Sequence, residues 1–201
     1  MQRPKKEQGR ETREEIIEVT TRLFATRGYA GTSLDLIAKE ANTSKSSIFW
    51  HFENKEDLLF TVVDRAMGQW EAEAGTQILA ESTPRAQLER IIDLYRELAM
   101  KHPDTLRLLL GLLLETVDVN EKVKQRFQKM YRGYRASIQM VVEEGVTSGA
   151  FSKRFPPAQL AAMTLALFDG LFIQWFLEPT QIGPETFAHL KTAIFQLVED
   201  A

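Results

Sequence analysis

At 201 residues, with 44% hydrophobic and 26% charged side chains, the chain has the make-up of a globular protein with a sizeable core, which excludes disordered and collagen-like classes. The absence of cysteine excludes a disulfide framework, thiol catalysis and cysteine-ligated zinc, and suits a reducing cytoplasm. A net charge of -3 excludes a uniformly basic nucleic-acid-binding surface, so any contact with nucleic acid has to come from local arrangement.

Charge is nevertheless uneven. Residues 1–65 hold 11 Lys/Arg and 11 Asp/Glu, against 14 and 17 in residues 66–201, and the first ten residues carry Arg3, Lys5, Lys6 and Arg10 against Glu7. That opening, MQRPKKEQGR, lacks the apolar centre of a signal peptide, so the expected location is cytoplasmic.

Taken in chain order, the pattern is helical throughout. Ile16, Ile17, Thr20, Leu23 and Phe24 share a helical face, and Gly28 follows Arg27 where a left-handed residue would end a helix, giving a first helix over Thr12 to Arg27. Ser33 can cap a second helix that ends near Ala41. Asn42-Thr43-Ser44 leaves only a tight turn, with Asn42 suited to the left-handed conformation and Ser44 to capping a third helix that ends near Phe52. Asn54 caps a fourth helix running to about Ala80, with Asp57 reaching back as in a capping box. Breaks at Pro84, His102-Pro103, Asp118 to Asn120, Gly149 to Pro157 and Glu178 to Pro184 predict helices over 84–101, 104–116, 120–147, 157–178 and 184–200. The expectation is an all-α chain of about nine helices: a three-helix front with a helix-turn-helix, then a larger helical domain.

The chemistry concentrates in KSSIFWHF, residues 45–52, which mixes a lysine and two serines with Phe49, Trp50 and Phe52. A helix entering the major groove needs small or long polar side chains at its start, and Lys45, Ser46 and Ser47 meet that need, lysine through guanine O6 and N7 and serine through base edges or phosphate. Trp50, His51 and Lys55 fall where they could hold the phosphate backbone, and the amides opening the fourth helix suit an anion.

TRLFATRGYAGTSLDLIAKEANTSKSSIFWHFENKEDLL resembles the DNA-binding domain of the TetR family of bacterial transcription regulators, over about residues 12 to 60. The likeness rests on Leu23-Phe24, Gly28-Tyr29, Thr32-Ser33, Ile37-Ala38, the serine-capped third helix, and the aromatic-His-Phe run before Lys55-Glu56. It implies that Ser33, Lys45, Ser46, Ser47, Phe49, Trp50, His51 and Lys55 face DNA, while Leu23, Phe24, Ile37, Ala38, Ile48 and Phe52 form the domain core. Three positions depart from the family pattern: Phe49 replaces a tyrosine and loses its hydroxyl, Asn42-Thr43 replaces Gly-Val in the turn, and Thr20 replaces a small alanine.

The resemblance implies residues 1–10 as a flexible arm, 11–55 as the DNA-binding domain and 56–201 as the effector-binding and dimerisation domain. A helix-turn-helix protein usually reads two half-sites as a dimer. The segment over 157–178 is apolar on all sides, with Leu160, Leu167, Phe168, Leu171 and Trp175 on one face and Ala162, Ala166, Gly170, Ile173 and Leu177 on another. By resemblance it pairs with the last helix, through Phe187, Leu190 and Ile194, and with both helices of a second copy. The middle helices are implied to enclose a small, largely apolar effector, with Arg107, Leu110, Leu114, Tyr131, Tyr134, Phe172, Gln174 and Trp175 as candidate contacts. Occupation of that pocket would move the fourth helix and respace the two reading helices.

Other readings find less support. Asp169 and Gln174 interrupt the apolar run 160–177, which speaks against a membrane span. No Gly-x-Ser-x-Gly elbow, Gly-x-Gly-x-x-Gly run or P-loop occurs, so catalysis and nucleotide cofactors are not expected. His51, His102 and His189 are too scattered to hold a metal. The expected partners are an operator duplex, a small effector and a second copy. A helical protein-interaction module and a transcriptional activator stand as alternatives.

Overall fold

The computed structural model describes residues 5–118 and 120–199, with side chains other than those of residues 5–8, 69 and 70. Among these residues there are nine helices and no strand: α1 (Lys5–Arg27), α2 (Leu34–Glu40), α3 (Lys45–His51), α4 (Lys55–Leu79), α5 (Pro84–Lys101), α6 (Pro103–Thr116), α7 (Glu121–Ser148), α8 (Pro157–Leu177) and α9 (Pro184–Val198). The all-α expectation holds: four of the last five helices start at a proline, and α7 starts one residue after Asn120, whose Oδ1 accepts the Val123 amide at 3.0 Å.

The first helix is longer than expected. Residues 5–10 are not a flexible arm but the opening turns of α1, because Lys, Glu, Gln and Arg between Lys5 and Glu15 are all good helix formers, outweighing a single Gly9. Arg3 of the expected arm lies outside the described residues.

The chain divides into two compact units. The first comprises residues 1–69 and 107–124, the second 70–106 and 125–201. The front unit therefore extends past the expected border at residue 55, taking in the first half of α4 and most of α6.

In the first unit, Ile16, Leu23, Phe24, Ile37, Ile48, Phe52, Leu58 and Leu59 are buried together, which confirms the expected core of the three-helix front. Thr20 is fully buried as well, its Oγ1 donating to the Ile16 carbonyl at 2.7 Å, so the hydroxyl that replaces alanine is satisfied within its own helix. The connection from α1 to α2 needs two glycines. Gly28 adopts φ 71°, and a β-carbon on Gly31 would stand 2.3 Å from the Arg27 carbonyl oxygen, a distance no other residue tolerates.

In the second unit, α5 lays Leu88, Ile91, Ile92 and Leu98 against a core completed by α7, α8 and α9. A column of rings runs through it: Tyr95 stacks on Phe168 at 4.6 Å, Phe168 meets Phe172 at 6.0 Å, and Phe172 meets Phe187 at 5.8 Å. Lys191 of α9 closes onto Glu89 and Asp93 of α5.

Candidate nucleic-acid interface

The helix-turn-helix is built by short-range chemistry. Ser33 and Ser44 both sit in extended backbone, and each oxygen accepts the amide three residues on, Leu36 and Ser47, at 3.1 Å. Between the two helices, Asn42 turns the chain at φ 47°, the left-handed value expected of it, and Thr43 N–H bonds back to the Ala38 carbonyl at 2.9 Å. The substitution of Asn-Thr for Gly-Val thus leaves the corner intact.

This geometry fixes which side of α3 is free. Ile48 and Phe52 turn inward and are buried. Lys45, Ser46, Phe49 and Trp50 form an outward stripe, with Phe49 50% and Trp50 79% exposed, and Ser47 and His51 flank it half-buried. Two large aromatic side chains bare to water on a two-turn helix are costly in isolation and mark a surface built to be covered. Gly9 of α1 lies beside it, where a β-carbon would come 3.7 Å from the Trp50 ring.

The polar members are arranged rather than loose. The Lys45 ammonium contacts Asp35 of α2 at 2.9 Å, and Ser46 Oγ lies 2.8 Å from Ser44 Oγ. The His51 ring packs edge-on to Trp50 at 4.8 Å, and burial, aided by the Arg13 charge, holds its pKa below the ordinary histidine value. It is therefore a neutral hydrogen-bonding group near pH 7 and contributes no fixed positive charge.

Lys55 is engaged within the protein itself. Its ammonium donates to the Tyr29 carbonyl and lies 4.0 Å above the Tyr29 ring, with its pKa lowered by burial against the opposing pull of Glu115. It clasps the turn after α1 and is half-buried. The start of α4 is likewise already supplied with an anion. Asn54 Oδ1 accepts the Asp57 amide at 2.9 Å, and the Asp57 carboxylate accepts the Glu53 amide at 3.1 Å, so part of the expected anion site is filled by the protein's own side chain.

Residues 107–124 reinforce this unit in a way no local pattern signals. The Glu115 carboxylate accepts the amides of Tyr29 at 2.7 Å and Ala30 at 2.5 Å. Asn120 donates to Glu56, and Lys122 reaches the same carboxylate at 3.2 Å; the Asn120 bond is the main cause of the lowered Glu56 pKa.

The remaining candidates are spread over both units. Arg107, Leu110 and Leu114 belong to the first, where Leu114 is exposed; Tyr131, Tyr134, Phe172, Gln174 and Trp175 belong to the second, where Phe172 is core and Gln174 is exposed. Tyr131 and Tyr134 lie with Tyr95 and Phe168, whereas Trp175 packs with Phe176 and Phe187. Of the expected pairing surface, Ala162, Ala166, Ile173 and Leu177 are exposed, and Gly170 and Leu190 are half-buried. Phe187 and Ile194 require correction: they are consumed by the protomer's own core, because the inward face of α9 must cover the ring column.

Comparison with known proteins places this geometry. The profile of bacterial regulatory proteins of the tetR family matches residues 16–62, and that of the C-terminal part of BetI-type transcriptional repressors matches residues 84–198. The HTH-type transcriptional regulator YhgD of Bacillus subtilis is 31% identical, over 87% of this chain and 90% of its own. The HTH-type transcriptional regulator TtgR of Pseudomonas putida is 26% identical, over 90% of this chain and 88% of its own. A transcriptional regulator from Saccharomonospora viridis, solved in complex with choline, superposes with a TM-score of 0.85 at 25% identity, covering 95% of this chain and 99% of the other.

Proposed function

The chain belongs to the TetR family of bacterial transcription regulators, DNA-binding proteins and not enzymes, and from that premise we propose that it is an effector-released repressor that binds a palindromic operator as a homodimer. The observation that carries the DNA-reading assignment is the outward stripe of Lys45, Ser46, Phe49 and Trp50 on a serine-capped two-turn helix. Lys45 and Ser46 read base edges; Ser33, Ser47, Phe49, Trp50 and His51 position the helix on the backbone; Lys55 acts mainly by holding the turn at Tyr29. The family sets aside a protein-interaction module.

Two copies are needed to read two half-sites, and the exposed apolar stripe of α8 supports that helix as the pairing surface. A stripe of Ala162, Ala166, Ile173 and Leu177 exposed on one protomer is the kind of surface a C2 partner covers. The choline held by the similar regulator supports a small-molecule effector for this chain. The helices α4 and α6 each contribute residues to both compact units, which supports them as the covalent routes by which effector binding shifts the spacing of the reading helices. Such a protein works in the cytoplasm, where its operator is.

The test is selection of bound duplexes from a random pool by the purified protein at moderate salt. A recovered palindrome is the expected result, with Lys45→Ala changing the preference at particular base pairs and not merely weakening all binding. No enrichment over random DNA overturns the reading.

A further inference from the structure

The second unit sets two half-buried tyrosines and two carboxylates against its buried ring column. Tyr95 of α5 stacks on Phe168 of α8 at 4.6 Å and meets Tyr134 of α7 edge-on at 6.2 Å, and Tyr134 lies 6.5 Å from Tyr131. Two carboxylates border these rings. Asp169 of α8 is hydrogen-bonded to the Tyr131 hydroxyl, and Glu71 of α4 to the Tyr134 hydroxyl. Tyr131, Tyr134 and Asp169 are half-buried and Glu71 is exposed, whereas Tyr95 and Phe168 are buried, so it is the two tyrosines on α7 and the two carboxylates that meet solvent.

Its charge is one-sided. Asp169 is taken largely out of water on an otherwise uncharged helix, and among the described residues its partner is a neutral phenol, not a Lys or Arg. Arg135, whose charge acts on Tyr131, is not among the groups that act on Asp169. A poorly solvated carboxylate without a cation is a standing cost to the fold. By donating to Asp169, the Tyr131 hydroxyl keeps only acceptor lone pairs. Ring faces, phenol oxygens and carboxylates all present negative potential, and together they suit one class of ligand.

We propose that the effector is an organic cation, a quaternary or protonated amine on an apolar body, held against the rings of Tyr131 and Tyr134, which the buried Tyr95 and Phe168 back, with Asp169 and Glu71 as counter-charges. The inference rests on the effector-released reading above and sharpens it, replacing a largely apolar effector with an amphipathic cation. Asp169 supplies the charge that discriminates against neutral molecules of the same shape, while the rings alone would accept both.

The experiment is calorimetric titration of the full-length protein with phenyltrimethylammonium, benzyltriethylammonium and hexylammonium, and with tert-butylbenzene, the uncharged isostere of the first. Saturable binding of at least one cation is expected, at least tenfold tighter for phenyltrimethylammonium than for its isostere, and weakened tenfold or more by Asp169→Asn. Glu71→Gln, at an exposed position that leaves folding untouched, is expected to weaken it severalfold, and thermal melts verify that both variants are folded. Equal affinity for the cation and its isostere, full affinity in both variants, or no saturable binding by any cation overturns the proposal. The same cation is then added to protein bound to its selected operator. Cation binding that leaves operator affinity unchanged sinks the effector-released reading but not the site, whereas a palindrome recovered by a protein that binds no cation sinks the site alone.

Discussion

The Glu115 carboxylate meets the Tyr29 amide at 2.7 Å, although 86 residues separate them in the chain. With Ala30 as its second donor, this side chain ties α6 to the turn that carries α1 into the helix-turn-helix. Charged acceptors on backbone amides are among the stronger hydrogen bonds, and losing one leaves donors unpaired. Glu115→Ala is expected to destabilise the protein by about 1–3 kcal/mol, read as a lower midpoint in urea. An unchanged midpoint would mean that the turn holds itself without α6.

Ser44 is the single cap of a helix only seven residues long. Such a helix has little propensity to spare, so Ser44→Ala should cost about 1 kcal/mol, concentrated in α3. The expected signature is faster amide exchange at Ser47 and Ile48 together with weaker operator binding in gel-shift titrations. Ser44→Asp, which keeps an acceptor, should restore the helix but not DNA affinity, because it brings negative charge to the phosphates.

Asp169 makes stability depend on pH in an unusual direction. Burial pushes its pKa above the ordinary carboxylate range, and the Tyr131 hydroxyl pulls it only partly back. A group raised in the folded state gives its full stabilisation below the unfolded value, near pH 4, and loses it as pH rises through the raised value. Asp169→Asn therefore melts close to the parent at about pH 4 and above it at pH 7, a gain in stability bought with cation binding. Scanning calorimetry across that range is decisive, and a variant less stable than the parent at neutral pH refutes the argument.

Ile173 stands exposed midway along the outward stripe of α8. Placing a charge there would bury it against a second copy without a partner. Ile173→Glu should sediment as a monomer, keep its helical circular dichroism, and lose operator affinity by more than tenfold. A dimer that survives the change would move the pairing surface off this face.

Local patterns made most of the helices and the outward stripe of α3 legible beforehand, since a serine cap, a left-handed asparagine or a proline start acts within four residues. Contacts set by tertiary packing left no such trace. Nothing around Glu115 or Glu56 announces partners at Tyr29 and Asn120, and the apolar face of α9 looks the same whether Phe187 meets its own chain or another. Lys55 shows the same limit from the other side: its place in the motif suggested phosphate, while its ammonium turned to the Tyr29 carbonyl. The carboxylate of Asp169 was visible in sequence only as an interruption of an apolar run; its meaning came from Tyr131 on another helix.

The ion pair between Lys45 and Asp35 bears on how well the protein tells its target from other sequence. An exposed pair of this kind holds by no more than about 1 kcal/mol, yet every encounter with a duplex has to open it before the lysine can reach a base. With Lys45 in the proposed base-reading role, random sequence repays that opening only through non-specific phosphate contact, and a matching guanine repays it through a direct hydrogen bond, so the pair adds up to about fivefold to the discrimination between them. In that role Asp35, a residue that touches no DNA, tunes selectivity by holding Lys45 back until the right partner is met.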